Sequence, residues 1–270
     1  MTLIPQEQPQ ERDPRRPWIV LFAVIVSVGL NTVAAVVGAQ AGQERAPTLA
    51  DPAEYAFGIW GVVFVTNVVF ALYQATPSQR TDPLLDRVAV PFVVGQLFGA
   101  LFAVASLADS NALGQLSTAL YFAAAVATYL MLGVGRRDDG WGRRAAAWLP
   151  ASMSAAWLLA ATIAVLAGFL QNGLEVSPPF GGGEDWAAVA VGSTAIVAAA
   201  LLVWRRDFVF AAVTAWALVA IAQEQTNEVV DTAVVASVAA LGLVALGMVP
   251  KATAELPWRR SRRERPLNAR

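Results

Sequence analysis

Three tryptophans, Trp60, Trp157 and Trp216, lie well inside long apolar stretches of this 270-residue chain. A buried indole is costly unless its N–H group finds a hydrogen-bond partner, and a single such residue would indicate ordinary packing. Three of them indicate an aromatic-lined cavity, which is how proteins commonly build a binding site for an apolar small molecule. The pattern therefore predicts ligand binding by burial and ring contacts.

Neutral amide side chains accompany the tryptophans, among them Asn31, Asn67 and Gln96. For any one of them, a hydrogen bond between helices is the simpler role. A few neutral polar groups are also what an apolar ligand site uses to orient its ligand. We include the three amides among the candidate ligand-binding residues, with the structural role as the alternative.

The chain lacks the residues that most often bind metals or transfer protons. It contains no Cys and no His, its single lysine is Lys251, and no charge lies within the apolar stretches apart from Asp231 at an edge. Disulfides, thiolate metal sites, a histidine base or haem ligand, and a retinal Schiff base inside the bundle are thereby excluded. Missing internal charge also argues against coupled ion transport and acid–base catalysis. We predict no metal, no cofactor and no enzymatic activity of this kind.

Eight long apolar stretches must position these side chains. They cover residues 17–41, 55–75, 88–107, 113–135, 145–171, 186–204, 208–223 and 230–249. Most reach the length of about 20 residues with which a helix crosses a hydrocarbon core of about 30 Å. They also lack the polar–apolar alternation of barrel strands, and open strands are not viable in lipid. The sequence therefore predicts an all-α fold, a polytopic membrane helix bundle of about eight transmembrane helices.

Positive charges occupy alternate connections between these stretches. All but one of the 19 Lys and Arg residues lie in the two tails or in every second connection, and Arg45 is the exception. By the positive-inside rule, both termini are predicted to lie in the cytoplasm. A helical rise of about 1.5 Å per residue then places four candidate residues where they can converge on a cavity in the outer half of the membrane, namely Asn31, Trp60, Asn67 and Trp157.

The chain divides into two membrane regions and three connecting or terminal segments. We predict a cytoplasmic tail at 1–16, a five-helix region at 17–172, an outer loop at 173–185, a three-helix region at 186–250 and a basic cytoplasmic tail at 251–270. The outer loop is the best internal boundary, because it contains Pro178-Pro179 and three successive glycines from Gly181.

Three further features concern partners and processing. The basic cluster at 259–265 suits contact with anionic lipid, although a topology-setting flank is the simpler interpretation. Nucleic acid is not expected as a partner.

Ala39-Gln40-Ala41 resembles a signal-peptidase site. The preceding apolar stretch exceeds the length of about 7–15 residues of the apolar region of a signal peptide, so we expect the first span to be retained. Gly95 and Gly99 allow close helix approach, either within the chain or in a homodimer.

The segment PAEYAFGIWGVVF, from Pro52 to Phe64, resembles the entry to the second helix of the TspO/MBR family of tryptophan-rich sensory and translocator proteins. In that family a Pro- and aromatic-rich loop leads into a helix that carries a Trp and, one turn later, another aromatic residue. The spacing from the first aromatic residue to the Trp is one residue shorter here, and the proline before the Trp is missing. The positions that match in kind are Tyr55, Phe57, Gly58, Trp60 and Phe64.

A second segment, from Trp148 through Pro150 and Trp157 to Ala161, resembles the last helix of the same family. Val165 stands where family members often carry Asn. The resemblance covers residues 17–172, and the remaining three helices, with Trp216 in the second of them, resemble the extension of longer bacterial members.

The resemblance implies a bacterial inner-membrane protein that binds an apolar ligand, either a porphyrin or related tetrapyrrole or a sterol-like molecule, and acts as a sensor, regulator or transporter. Light-dependent porphyrin degradation is an activity of some members. A small-molecule or lipid permease is the main alternative, and an enzyme on a membrane-soluble substrate or a scaffold with cytoplasmic arginine-rich loops are weaker ones. The candidate ligand-binding residues are Asn31, Tyr55, Phe57, Trp60, Phe64, Asn67, Gln96, Trp157, Ala161 and Trp216.

Overall fold

The computed structural model of the protein describes residues 14–38, 48–137, 139–170 and 183–254. Within these ranges the chain forms eight membrane-length or shorter α-helices and no strand. They are α1 (Arg16–Val36), α2 (Ile59–Ala75), α3 (Pro83–Leu107), α4 (Asn111–Leu132), α5 (Leu149–Gly168), α6 (Gly183–Arg205), α7 (Phe208–Glu224) and α8 (Glu228–Ala254). A 3₁₀ turn, Glu54–Gly58, leads into α2, and the helical segments Trp141–Arg143 and Arg144–Trp148 lead into α5.

The described helices have the length and surface of a membrane bundle. Seven spans are long and apolar enough to cross a bilayer, with α2 counted together with its 3₁₀ turn and α5 with its lead-in, and α7 is a shorter apolar helix of 17 residues. Large apolar side chains point away from the bundle, for example Phe22 (69% exposed), Ile196 (70%) and Leu243 (71%). Such an apolar exterior suits lipid as the surrounding solvent. The prediction of an all-α polytopic membrane bundle is confirmed.

Several helices extend past the apolar stretches that predicted them. α3 begins at Pro83 rather than at residue 88, because Asp82 caps it by accepting from the Leu84 N–H at 2.7 Å and because proline suits a first helical position. α6 begins at Gly183, inside the segment predicted as an outer loop at 173–185. The remainder of that loop, the Ala39-Gln40-Ala41 tripeptide and the basic cluster at 259–265 lie outside the described residues, so those predictions stay predictions.

The first five helices form a closed ring. In the order α1, α2, α5, α4, α3, each helix packs against the next, and α3 returns to α1. The close approach of α3 depends on glycine, since a Cβ on Gly95 would lie 3.2 Å from the Tyr121 ring and one on Gly99 would lie 2.9 Å from the Ser27 hydroxyl. This small-residue face therefore packs inside the chain and is not free to form the seam of a homodimer.

The last three helices pack beside this ring. α6 and α7 both contact α5, and α8 contacts α6 and α7. α7 also contacts the 3₁₀ turn Glu54–Gly58, which belongs to the connection between α1 and α2. The three-helix group thus touches the ring along α5 and at the segment that leads into α2.

Charged side chains are buried or half-buried at the end of the bundle where α1 begins, which we call the charged end. Arg16, only 6% exposed, forms an ion pair with Asp86, and Arg143 forms one with Asp82. These pairs tie the start of α1 and the lead-in to α5 to the first turns of α3. The interior between the helix ends is neutral, in agreement with the sequence, but the ends hold more buried charge than a solvent-exposed connection would.

The connection between α6 and α7 is the clearest case. Arg205 and Asp207 are 2% and 5% exposed, although the sequence placed them in a cytoplasmic connection. Arg205 donates from Nη1 to the carbonyl oxygen of Val134 at 3.1 Å. Asp207 accepts from the Ser152 hydroxyl at 2.7 Å and, as the cap of α7, from the Phe210 N–H at 2.9 Å. These bonds join the three-helix group to α5 and to the connection after α4, and they supply the partners that buried charges need.

Candidate functional site

A cavity of about 300 Å³ lies inside the ring of α1 to α5, toward the end at which α2 begins. We call this the cavity end. All five helices of the ring contribute to its wall, together with the connection that precedes α2. The lining residues are Asn31, Asp51, Pro52, Phe57, Trp60, Phe64, Gly99, Phe102, Asn111, Gly114, Gln115, Thr118, Tyr121, Trp157, Leu158, Ala161 and Val165.

Aromatic rings form one continuous side of the cavity. The Trp60 ring is stacked with Phe64 and Tyr121, with centroids 5.5 and 6.1 Å apart and planes inclined by 26° and 23°. The Trp157 ring meets Trp60 and Phe57 edge to face, at 6.4 and 5.8 Å. Offset-stacked and T-shaped pairs are the favoured arrangements of aromatic rings. The side chains therefore hold each other in place and present a preformed apolar wall.

The helical repeat explains why these residues meet. Trp60 and Phe64 are four residues apart near the start of α2, and Trp157 and Ala161 are four apart in α5. Residues at this spacing lie on one face of a helix, one turn apart. Because α2 and α5 are neighbours in the ring, both faces line the same cavity.

The polar groups of the wall are mostly satisfied within the protein. The Asn31 amide donates to the carbonyl oxygens of Ser27 at 2.8 Å and Gly99 at 2.9 Å, which uses both of its N–H groups and leaves its carbonyl oxygen as an acceptor. Gln115 donates to the Asn111 side chain at 3.0 Å. The site thus offers few polar groups to a ligand, as an apolar site requires.

Charge has little part in the lining. Asp51 is the one acidic or basic side chain among the lining residues, and it accepts from the Thr48 N–H at 2.7 Å. Within the described ranges, no cluster of acidic residues could hold a metal ion. The mostly apolar lining is typical of sites that bury an apolar molecule.

The structure brings six of the ten candidate residues to the cavity wall: Asn31, Phe57, Trp60, Phe64, Trp157 and Ala161. Their contact with a ligand stays a prediction. Asn67 and Gln96 lie deeper. Both are buried beside Tyr121, and Gln96 also borders a second void of about 20 Å³ on the far side of that ring. Neither oxygen nor nitrogen of the Asn67 amide makes a well-directed hydrogen bond.

Tyr55 and Trp216 are not among the residues that line the cavity, and their contact with a ligand stays a prediction. Their rings meet edge to face at 5.3 Å, and each is 43% exposed. The Trp216 indole N–H donates to the carbonyl oxygen of Ala56 at 3.3 Å. Trp216 reaches this carbonyl because α7 packs against the 3₁₀ turn rather than inside the ring, so its indole is satisfied outside the cavity.

Several lining residues escaped the sequence analysis, above all Tyr121 and Phe102. Both lie in apolar stretches whose aromatic residues look like ordinary lipid-facing or packing residues. One signal was available for Tyr121: it follows Gly114 and Ser117 by seven and four residues, so α4 carries a face of small residues that ends in a ring. That face is buried against α3 and carries the Tyr121 ring into the cavity.

The family model described as TSPO-like protein matches residues 17–249, from the start of α1 into α8. The chain belongs to the TSPO-like protein family. No curated protein and no solved structure matches it.

The extent of the match adds to the resemblance that the motifs carry. Pro52–Phe64 and Trp148–Ala161 lie in the first five helices, but the match to the TSPO-like family continues through α6 and α7. The match to the TSPO-like family therefore includes α6, α7 and most of α8, and not only the first five helices. An integral, multi-pass membrane protein of the TSPO-like family follows from the match and from the seven membrane-length helices together.

Proposed function

We propose that this TSPO-like protein binds an apolar small molecule, of the tetrapyrrole or sterol class, in the cavity of its five-helix ring. The observation that carries the proposal is the preformed aromatic wall of Phe57, Trp60, Tyr121 and Trp157 around a volume of about 300 Å³. Cavities of about 300–1,000 Å³ with mostly apolar walls and few polar groups are typical ligand sites.

The size of the cavity favours a ligand that enters only in part or that widens the site as it binds. Its volume of about 300 Å³ is at the lower limit of small-molecule sites. Binding would bury the apolar surface of the ligand against rings, and the free carbonyl oxygen of Asn31 would accept from one polar group. Sensing, regulation and transport all begin with this binding step, and we propose binding as the function common to them.

Tryptophan fluorescence tests the proposal directly. We expect protoporphyrin IX to quench the emission of the purified protein saturably and to raise its unfolding temperature, because a ligand that binds only the folded state stabilises it by mass action. In Trp60→Phe and Trp157→Phe, the quenched amplitude should fall and the affinity should weaken by about tenfold, or about 1.4 kcal/mol.

Trp18→Phe is the matched control, because Trp18 is 63% exposed and lies at the start of α1, far from the cavity end. It should lose part of the total emission while the affinity stays unchanged. Equal weakening in all three variants, or quenching without saturation or thermal stabilisation, would show that the porphyrin associates with the apolar exterior and would refute the cavity site.

We further propose that the charged end faces the cytoplasm of a bacterial inner membrane, with both termini there. The distribution of Lys and Arg supports this orientation. The chain has no cysteine, so single cysteines report accessibility without background. In intact cells a membrane-impermeant maleimide should label Ser110→Cys, at the cavity end, and should not label Ser78→Cys until the membrane is opened. The reverse pattern would invert the proposed orientation.

A further inference from the structure

The cavity has one wall that is not part of any helix of the ring. Asp51, Pro52 and Phe57 line it from the connection before α2, and the structure describes this connection from residue 48 onward. We call residues 48–58 the cap segment. Ala53 and Ala56 within it are buried, at 9% and 0% exposure, so the segment is packed onto the protein rather than extended into solvent.

The cap segment is bonded to α7. The Ala53 N–H donates to the carbonyl oxygen of Ala220 at 3.0 Å, and the Gln225 side chain donates from Nε2 to the carbonyl oxygen of Asp51 at 2.9 Å. The Trp216 indole N–H donates to the carbonyl oxygen of Ala56 at 3.3 Å, and its ring contacts Tyr55. Three hydrogen bonds and one ring pair therefore run from α7 and its C-cap residue, Gln225, to a segment that lines the ring's cavity.

The residues that are bonded to α7 or its C-cap are the same as, or adjacent to, the residues that line the cavity. Asp51 accepts from Gln225 through its backbone, and Ala56 accepts from Trp216 immediately before Phe57, whose ring contacts Trp157 in the cavity wall. A displacement of the cap segment would therefore disturb the contact between Phe57 and Trp157. The position of α7 and the position of this part of the cavity wall are linked through this short stretch of backbone.

We propose that α7 is a latch that holds the cap segment closed over the cavity, and that Trp216 and Gln225 are its positioning residues. They touch the cap backbone and not the cavity, so they govern how often the site opens rather than which surface a ligand meets. A latch is useful only if the cavity binds a ligand, so this proposal rests on the proposed function. The opening itself is a property of the protein without ligand.

Cysteine labelling measures that opening without a ligand. Thr118 lines the cavity and is half-buried, so Thr118→Cys places a thiol in the cavity wall of a chain that otherwise has none. In this background, Gln225→Leu and Trp216→Phe each remove one side-chain donor. Trp216→Phe keeps an aromatic ring at the position that contacts Tyr55. We expect each to accelerate maleimide labelling about five- to tenfold, because the loss of one hydrogen bond shifts a local opening equilibrium by about that factor.

Two controls make the result specific. Trp18→Phe removes an exposed indole far from the cap segment and should leave the labelling rate unchanged. Ser78→Cys reports an exposed position at the charged end and should react equally fast with and without the latch substitutions. The latch variants must fold, as judged by helicity and gel filtration. If the Thr118→Cys thiol in these folded variants still reacts at the parent rate, α7 is only packed against the cap segment and the proposal is overturned.

Ligand kinetics separate this proposal from the proposed function. With protoporphyrin IX, the latch variants should associate and dissociate faster, with a smaller change in Kd than in either rate, as expected for a change in access alone. Faster labelling without any porphyrin binding would keep the latch and refute the ligand class. Saturable porphyrin binding with unchanged rates and unchanged labelling would keep the function and refute the latch.

Discussion

Replacement of Gly135 with alanine is expected to destabilise the protein more than other single-methyl additions at its glycines. Gly135 has a φ of +74°, and a Cβ at this position would lie 1.7 Å from the carbonyl oxygen of Arg205. L-residues disfavour this conformation, and a backbone atom cannot move aside as the end of a long side chain can. We expect a loss of at least about 3 kcal/mol in unfolding free energy, from strain and overpacking together.

The reason lies in the joint between the two groups of helices. Gly135 lies in the connection after α4, where the backbone of Arg205 at the end of α6 packs directly on it. Val134 next to it accepts from the Arg205 guanidinium, and Asp207 completes the joint through Ser152 of α5. A shift of α6 to accommodate a methyl group would break the bonds of buried charged groups, and unpaired buried charges are strongly destabilising.

Gly140→Ala is the matched control, because Gly140 belongs to the same connection and a Cβ there would have no atom within 4 Å. Thermal unfolding in detergent, followed by circular dichroism, should show a large drop for Gly135→Ala and a change within about 0.5 kcal/mol for Gly140→Ala. Similar unfolding temperatures for both variants would mean that α6 does not press on this connection.

The helices could be predicted from the sequence because hydropathy reports them directly. All eight apolar stretches became helices, and the closed ring could not be foreseen because each stretch is apolar on every side. The ends of the helices were less accessible. The uncharged stretch predicts that α3 begins at residue 88, whereas the Asp82-Pro83 pair is itself a helix-start signal that outweighs the charges on Asp86 and Arg87.

The candidate site was predictable for the residues of the two family motifs that are spaced four apart along a helix. Trp60, Phe64, Trp157 and Ala161 reached the wall because spacing by four residues keeps them on one face of their helices. Trp216 lies outside the cavity wall, which could not be predicted because a position inside an apolar stretch does not reveal the rotation of the helix or its neighbours. Its partner, the Ala56 carbonyl oxygen, is 160 residues away in sequence, and a sequence pattern carries no trace of a bond to a backbone atom.

Filling the cavity should abolish ligand binding while the bundle stays intact. Ala161 lines the cavity in α5, one turn after Trp157. In Ala161→Phe, the ring would occupy space that is empty in the free protein, so overpacking is small and unfolding free energy should change by less than about 1.5 kcal/mol. A ligand would have to overlap that ring, and we expect its affinity to fall by about 100-fold or more, equivalent to about 2.8 kcal/mol.

Leu166→Phe on the same helix distinguishes occlusion from a general effect of added aromatic surface. Leu166 is 52% exposed and lies outside the lining, so a ring at this position faces the surroundings of the bundle. Titration of both variants with protoporphyrin IX should show near-parent affinity for Leu166→Phe and none measurable for Ala161→Phe. Because Ala161→Phe keeps every tryptophan, a lost signal reports lost binding rather than a lost fluorophore. Parent-like affinity in Ala161→Phe would show that the ligand binds outside the cavity of the five-helix ring.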